Sequence, residues 1–67
     1  MEINDVFSMT ITSVQEDTVN KIYKGYYNDF YITAYGDLKS KHKKGSLINC
    51  KCTKSDLSRH TCFAVVI

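Results

Sequence analysis

The chain has 67 residues, 43% of them hydrophobic and 24% charged, with no proline, three glycines, three cysteines and a formal net charge of +2. A chain of this length is a single domain that buries only about 60% of the surface its unfolded form exposes. Its ordinary globular composition excludes an unfolded chain, and an odd number of cysteines argues against a disulfide-stapled scaffold. No apolar run approaches the ~20 residues of a membrane span, and the N-terminal stretch Met1-Glu2-Ile3-Asn4-Asp5 is acidic where a signal peptide is basic. These features predict a cytoplasmic protein with reduced thiols and no membrane association.

Phe7, Met9 and Ile11 alternate with Ser8, Thr10 and Thr12, the period-2 pattern of a strand with one buried face, and predict a first strand over residues 5–14. The polar run Gln15–Thr18 predicts a turn, and Val19, Ile22 and Tyr23 a second strand reaching Lys24, with a turn or bulge at Gly25. Residues 26–35 are dense in aromatic and β-branched side chains and predict the strongest strand. On it, Phe30, Ile32 and Ala34 form an apolar face for the core. Tyr27, Asp29, Tyr31, Thr33 and Tyr35 form the opposite, accessible face. Residues 37–45, rich in lysine and closed by Gly45, predict one or two turns of helix. Residues 46–53 alternate again, with Ile48, Cys50 and Cys52 facing inward; 54–59 read as a polar connection and 61–67 as a last strand. Five short strands with a helix between the third and fourth predict an all-β fold, an OB-fold-like five-stranded barrel, with an SH3-like barrel as the nearest competitor.

The charge is uneven along the chain. Residues 1–20 carry four acidic and no basic side chains, whereas residues 21–67 carry nine basic and three acidic ones. That asymmetry points to an anionic partner for one surface. Sequence-tolerant binding of single strands requires aromatic platforms, because every base presents a π-face, together with cations for phosphate. Tyr27, Tyr31 and Tyr35, with Thr33 between them, are the candidate platforms. Lys39, Lys41, Lys43, Lys44 and Lys51 are the candidate cations, acting through counterion release.

Between residues 29 and 51 the segment Phe30-Tyr31-Ile32-Thr33-Ala34-Tyr35-Gly36-Asp37-Leu38, a basic linker and Lys44-Gly45-Ser46-Leu47-Ile48 resemble the bacterial and phage single-stranded DNA-binding proteins. In that family an aromatic strand ends in an aromatic-Gly-x-Leu element, a short helix follows, and Lys-Gly-Ser or Lys-Gly-Asp opens the fourth strand. The resemblance implies an OB-fold that binds single-stranded DNA or RNA without sequence preference, with Tyr35 as a base-stacking residue and a homo-oligomer, a dimer, as the working form. Three departures stand out. Asp29 falls where the family often has tryptophan, the stretch between the first and third strands is shorter, and the family's acidic C-terminal tail has no counterpart. A minimal relative from a phage or mobile element, acting in DNA replication or recombination inside a bacterial host, is therefore the expected context. The alternative is a small phage-type inhibitor or adaptor whose tyrosines anchor a host protein.

Neither a cofactor nor catalysis is expected. Cys50, Cys52, His60 and Cys62 offer the one alternative, a tetrahedral zinc set drawn from two neighbouring strands. Their other reading is buried free thiols, since Cys50 and Cys52 share the inward parity of Ile48. Cys62 with His60 or His42 matches no nucleophile motif.

Overall fold

The computed structural model describes residues 1–67, and every regular element in it is a strand: β1 (Val6–Glu16), β2 (Asn20–Tyr27), β3 (Phe30–Asp37), β4 (Leu47–Asp56) and β5 (Thr61–Val66). The five strands form one mixed sheet that closes in a ring in the order β1-β2-β3-β5-β4. All neighbouring pairs are antiparallel except β3 and β5, which run parallel. Because β4 lies outside that pair, the chain must leave β3, cross the end of the ring and return.

Closure depends on the two longest strands, β1 and β4, which change partner along their length. β1 pairs with β4 through Val6–Thr10 and with β2 through Thr10–Glu16. Its ladder to β2 slips between Ile11 and Ser13, and β4 slips against β5 between Cys52 and Lys54. Each slip is a bulge that bends its strand and increases the local twist. The extra residue in both cases is a threonine whose hydroxyl donates to the partner strand: Thr12 to the Lys24 carbonyl and Thr53 to the Phe63 carbonyl, each at 3.1 Å. Gly25 faces the first bulge, where a Cβ would collide with the Thr10 carbonyl oxygen, so the close approach of β1 and β2 requires glycine.

The core consists of twelve side chains from all five strands, including Phe7, Met9, Ile11, Tyr23, Ile32, Ile48 and the three cysteines. Phe30, Ile32 and Ala34 point inward from β3 as their parity predicts, and so do Ile48, Cys50 and Cys52 from β4. The thiols behave as small hydrophobes. Burial pushes Cys50 up to about 11 and Cys62 up to about 12, the latter raised further by the thiol of Cys52, whose sulfur accepts a hydrogen bond from Cys62 at 3.2 Å.

The predicted helix over residues 37–45 does not form. The segment has one apolar residue, Leu38, so a helix there would have no face to bury, and a single turn does not repay its nucleation cost without one. Asp37 instead draws the chain into a turn, its carboxylate accepting from the Lys39 amide at 2.8 Å and its carbonyl from the Ser40 amide at 2.9 Å. The resulting loop closes the end of the ring. Tyr23 donates to the Ser40 hydroxyl at 2.7 Å, His42 lies edge-on to the Tyr23 ring, and Ile11 exchanges backbone hydrogen bonds with Gly45 and Ser46. Gly45, at φ 91°, makes the turn that returns the chain to β4.

The strand expected over 26–35 is two strands. Asn28 and Asp29 both have positive φ, 48° and 66°, and form a two-residue hairpin turn between the paired residues Tyr27 and Phe30. Asn and Asp tolerate this left-handed conformation better than other non-glycine residues. Tyr26 and Tyr27 therefore end β2, and the parity of that strand, with Tyr23 and Gly25 inward, turns Tyr27 toward the core and Tyr26 outward.

Candidate functional site

The outer surface of β2, β3, β5 and β4 carries three rows of side chains fixed by strand register. Tyr26, Tyr31, Thr61 and Asp56 make the first row; Lys24, Thr33, Phe63 and Lys54 the second; Ile22, Tyr35, Val65 and Lys51 the third. Tyr31, Tyr35 and Phe63 thus stand on the two central strands, while the margins carry Tyr26, Lys24 and Ile22 on β2 and Asp56, Lys54 and Lys51 on β4. Tyr26 is 62% exposed and Phe63 41%, while Tyr31, Thr33 and Tyr35 are half-buried by their neighbours.

Ring geometry ties the rows together. Tyr26 and Tyr31, directly paired across β2 and β3, have centroids 5.3 Å apart and tilted by 55°. The Lys24 ammonium lies 5.9 Å from the centre of the Tyr31 ring, within cation–π range. Tyr35 and Phe63 are nearly parallel, 17° between planes, with centroids 6.4 Å apart. Between β3 and the β4–β5 turn lies a groove of about 390 Å³ whose walls are Tyr31, Thr33 and Phe63 and whose rim carries Lys54, Asp56 and Arg59.

The turn at that rim is organised by Asp56. Its carboxylate accepts from the Ser58 hydroxyl at 2.7 Å and from the Ser58 and Arg59 amides at 3.1 and 3.3 Å, and these bonds hold its carboxyl below the usual range. Arg59 Nε lies 3.9 Å from the same carboxylate. The pair is exposed and weak, so the guanidinium remains able to meet an anion in the groove.

Of the residues singled out by sequence, Tyr31, Thr33 and Tyr35 lie together on this face. Tyr27 does not: its ring stacks on Phe7 with centroids 4.9 Å apart and lines a separate, mostly apolar concavity of about 420 Å³ with Met1 and Phe30. Asp29 belongs to the hairpin turn rather than the strand face. Lys51 stands on β4 two strands from Tyr35, and Lys39, Lys41, Lys43 and Lys44 are exposed on the β3–β4 loop at the Tyr35 end of β3. Lys54 and Arg59 lie at the other end, where Tyr31 pairs with Thr61.

Sequence reasoning missed Tyr26, Phe63, Lys24, Lys54 and Arg59. Two signals were available: the Asn-Asp turn, which exchanges Tyr26 for Tyr27, and the alternation Cys62, Phe63, Ala64, which turns Phe63 outward.

The tetrahedral set Cys50, Cys52, His60 and Cys62 is not brought together. His60 sits exposed in the β4–β5 turn at φ 52° with its ring stacked on Phe30, while the three thiols are buried. No group of three or more His, Cys, Asp or Glu side chains is arranged to hold a metal ion.

Comparison of the chain with models of protein families, with curated proteins and with solved structures finds no match.

Proposed function

We propose that the ring is an OB-type barrel whose β2–β3–β5 face binds single-stranded nucleic acid, DNA foremost, without sequence preference. The observation that carries this reading is the run of exposed or half-exposed rings, Tyr26, Tyr31, Phe63 and Tyr35, bordered on one side by Lys24 and on the other by Lys54 and Arg59. Strand order supports it, because OB-folds bind oligonucleotides on the face of strands 2 and 3, beside the loops joining strands 1 to 2 and 4 to 5. Each stacked base contributes about 1–3 kcal/mol, so two or three platforms support a real affinity from a small face. The loop lysines extend the phosphate path beyond Tyr35. A role in phage or mobile-element DNA replication or recombination, in the cytoplasm of a bacterial host, fits a binder of this size and composition.

A second reading has its own observation. Val6, Leu47 and Ile67 are 63%, 67% and 62% exposed on the outside of β1, β4 and the end of β5, around the hydrogen bond from Ser8 to Asn49. Such apolar side chains fit a protein contact, either a second copy in a homodimer or a host protein held by an adaptor.

Fluorescence anisotropy with a labelled thymine oligonucleotide of about 25 nucleotides separates the readings. Binding that falls steeply with salt and that duplex DNA does not match is the expected result. Replacing Lys41, Lys43 and Lys44 by Ala should lower the slope of log K against log salt by about 2, given ~0.7 per phosphate contact on single strands. Absence of binding at low salt by folded protein overturns the nucleic-acid reading and leaves the protein-contact reading.

A further inference from the structure

Phe63 is a large apolar ring left 41% exposed on a strand whose inward positions are filled by Cys62 and Ala64. It adds little to the core, and its position is set by pairing. It lies opposite Thr33, a small side chain, so the register places its ring between Tyr31 and Tyr35, the two tyrosines that flank Thr33 on the same face of β3. Toward Tyr35 the two rings are 17° from parallel with centroids 6.4 Å apart. That centroid separation is close to twice the ~3.4 Å spacing of stacked bases, and a planar ring fits between the two once they face each other without lateral offset. Toward Tyr31 lies the groove of about 390 Å³, with Lys54 and Arg59 at its rim.

We infer that Phe63 is a wedge dividing the face into two adjacent base sites, one between Phe63 and Tyr35 and one in the groove between Phe63 and Tyr31. The ligand is a pair of consecutive nucleotides whose bases are unstacked from each other, with a phosphate near Lys54 and Arg59. This rests on the single-strand reading and deepens it: the bases enter between the rings instead of lying on separate platforms. Duplex DNA, whose bases stay stacked, cannot enter, so the wedge also supplies the preference for single strands.

The test is anisotropy on the 67-residue protein with thymine oligonucleotides, for wild type, Phe63→Leu, Phe63→Tyr, Tyr35→Leu and the double variant Phe63→Leu/Tyr35→Leu. Far-ultraviolet circular dichroism confirms that each variant is folded. Phe63→Leu keeps an apolar side chain but loses the ring, and should weaken binding about fivefold or more, the lower bound for one stacked base. Phe63→Tyr should bind within about twofold of wild type. Because Phe63 and Tyr35 share one base, the double variant should lose much less than the product of the single losses. An oligonucleotide carrying adjacent 2-aminopurines should show an emission change on binding wild type that Phe63→Leu reduces. If Phe63→Leu binds like wild type while Tyr35→Leu and the loop-lysine variant weaken binding, the wedge is overturned and the single-strand reading stands. Multiplicative losses overturn the shared site in the same way. If wild type does not bind, the single-strand reading itself has failed.

Discussion

The two sides of β3 and β5 invert the usual distribution of ring size. Inward, between Phe30 at the end of the ring and Ala34 at its middle, the positions hold Ile32, Ala34, Cys62 and Ala64; outward, they hold Tyr31, Tyr35 and Phe63. The interior of a five-stranded ring is narrow, and the alternation of small with larger residues fits that taper. The outer side has no such constraint, and the hydrophobic effect favours taking large rings out of water. Tyr31 and Tyr35 are only half-buried there and Phe63 is 41% exposed, so these rings leave apolar surface in water that the fold itself does not cover. On the proposed single-strand reading, stability and binding fall on opposite faces of the same strands, and substitutions should separate the two properties.

The largest effect is expected inside. Ile32→Ala removes a fully buried side chain at the pairing of β3 with β2 and β5 and should cost about 2–5 kcal/mol, read from the urea midpoint. Next comes Gly25→Ala, which places a methyl group against the Thr10 carbonyl and 3.0 Å from Met9 Sδ, and should cost about 1–3 kcal/mol. Tyr23→Phe removes only the hydroxyl that meets Ser40 and should cost about 1 kcal/mol while loosening the lysine loop, visible as faster amide exchange over residues 38–46. Outside, Tyr35→Ala should change stability by less than about 1 kcal/mol yet weaken oligonucleotide binding, sharpening the contrast with Ile32.

A final comparison vanishes at neutral pH. Cys50 and Cys62 titrate at about 11 and about 12 when folded, against an ordinary value of about 9. Above pH 9 the unfolded thiols release protons that the folded ones keep. The unfolded state then binds fewer protons, and stability falls as pH rises. Thermal melts between pH 8 and 12 should show a decline for wild type that is shallower for Cys50→Ala/Cys62→Ala, after allowance for the lower starting stability of that variant.

Much of the inner face was legible in the sequence because strand parity is a local property. Phe7, Met9 and Ile11, then Phe30, Ile32 and Ala34, then Ile48, Cys50 and Cys52 each declare an inner face without reference to any partner. What stayed hidden depended on where parity breaks. The Asn28-Asp29 turn lies inside an aromatic run and contains no glycine, so a single long strand was the natural reading and Tyr27 took the place of Tyr26. The bulge at Thr53 extends β4 through Asp56, which turns a supposed connection into strand and sets Lys54 beside Phe63. The helix expected over 37–45 failed for a related reason: its residues are individually compatible with a helix, but only packing stabilises so short a one, and the segment has nothing to pack.

The crossed path of the chain has a consequence for the speed of folding. Val6 pairs with Lys51, and Tyr31 with Thr61, so two of the five seams of the ring join residues far apart in sequence. Each seam must pay its loop-closure entropy before its ladder repays it, and chains dominated by such distant pairings fold in milliseconds to seconds instead of microseconds. The hairpin of β2 and β3, with its two-residue turn, can form early and alone. Until Thr61–Val66 arrives beside it, the parallel edge of β3 has no partner, and the nascent chain carries its aromatic face on an open strand.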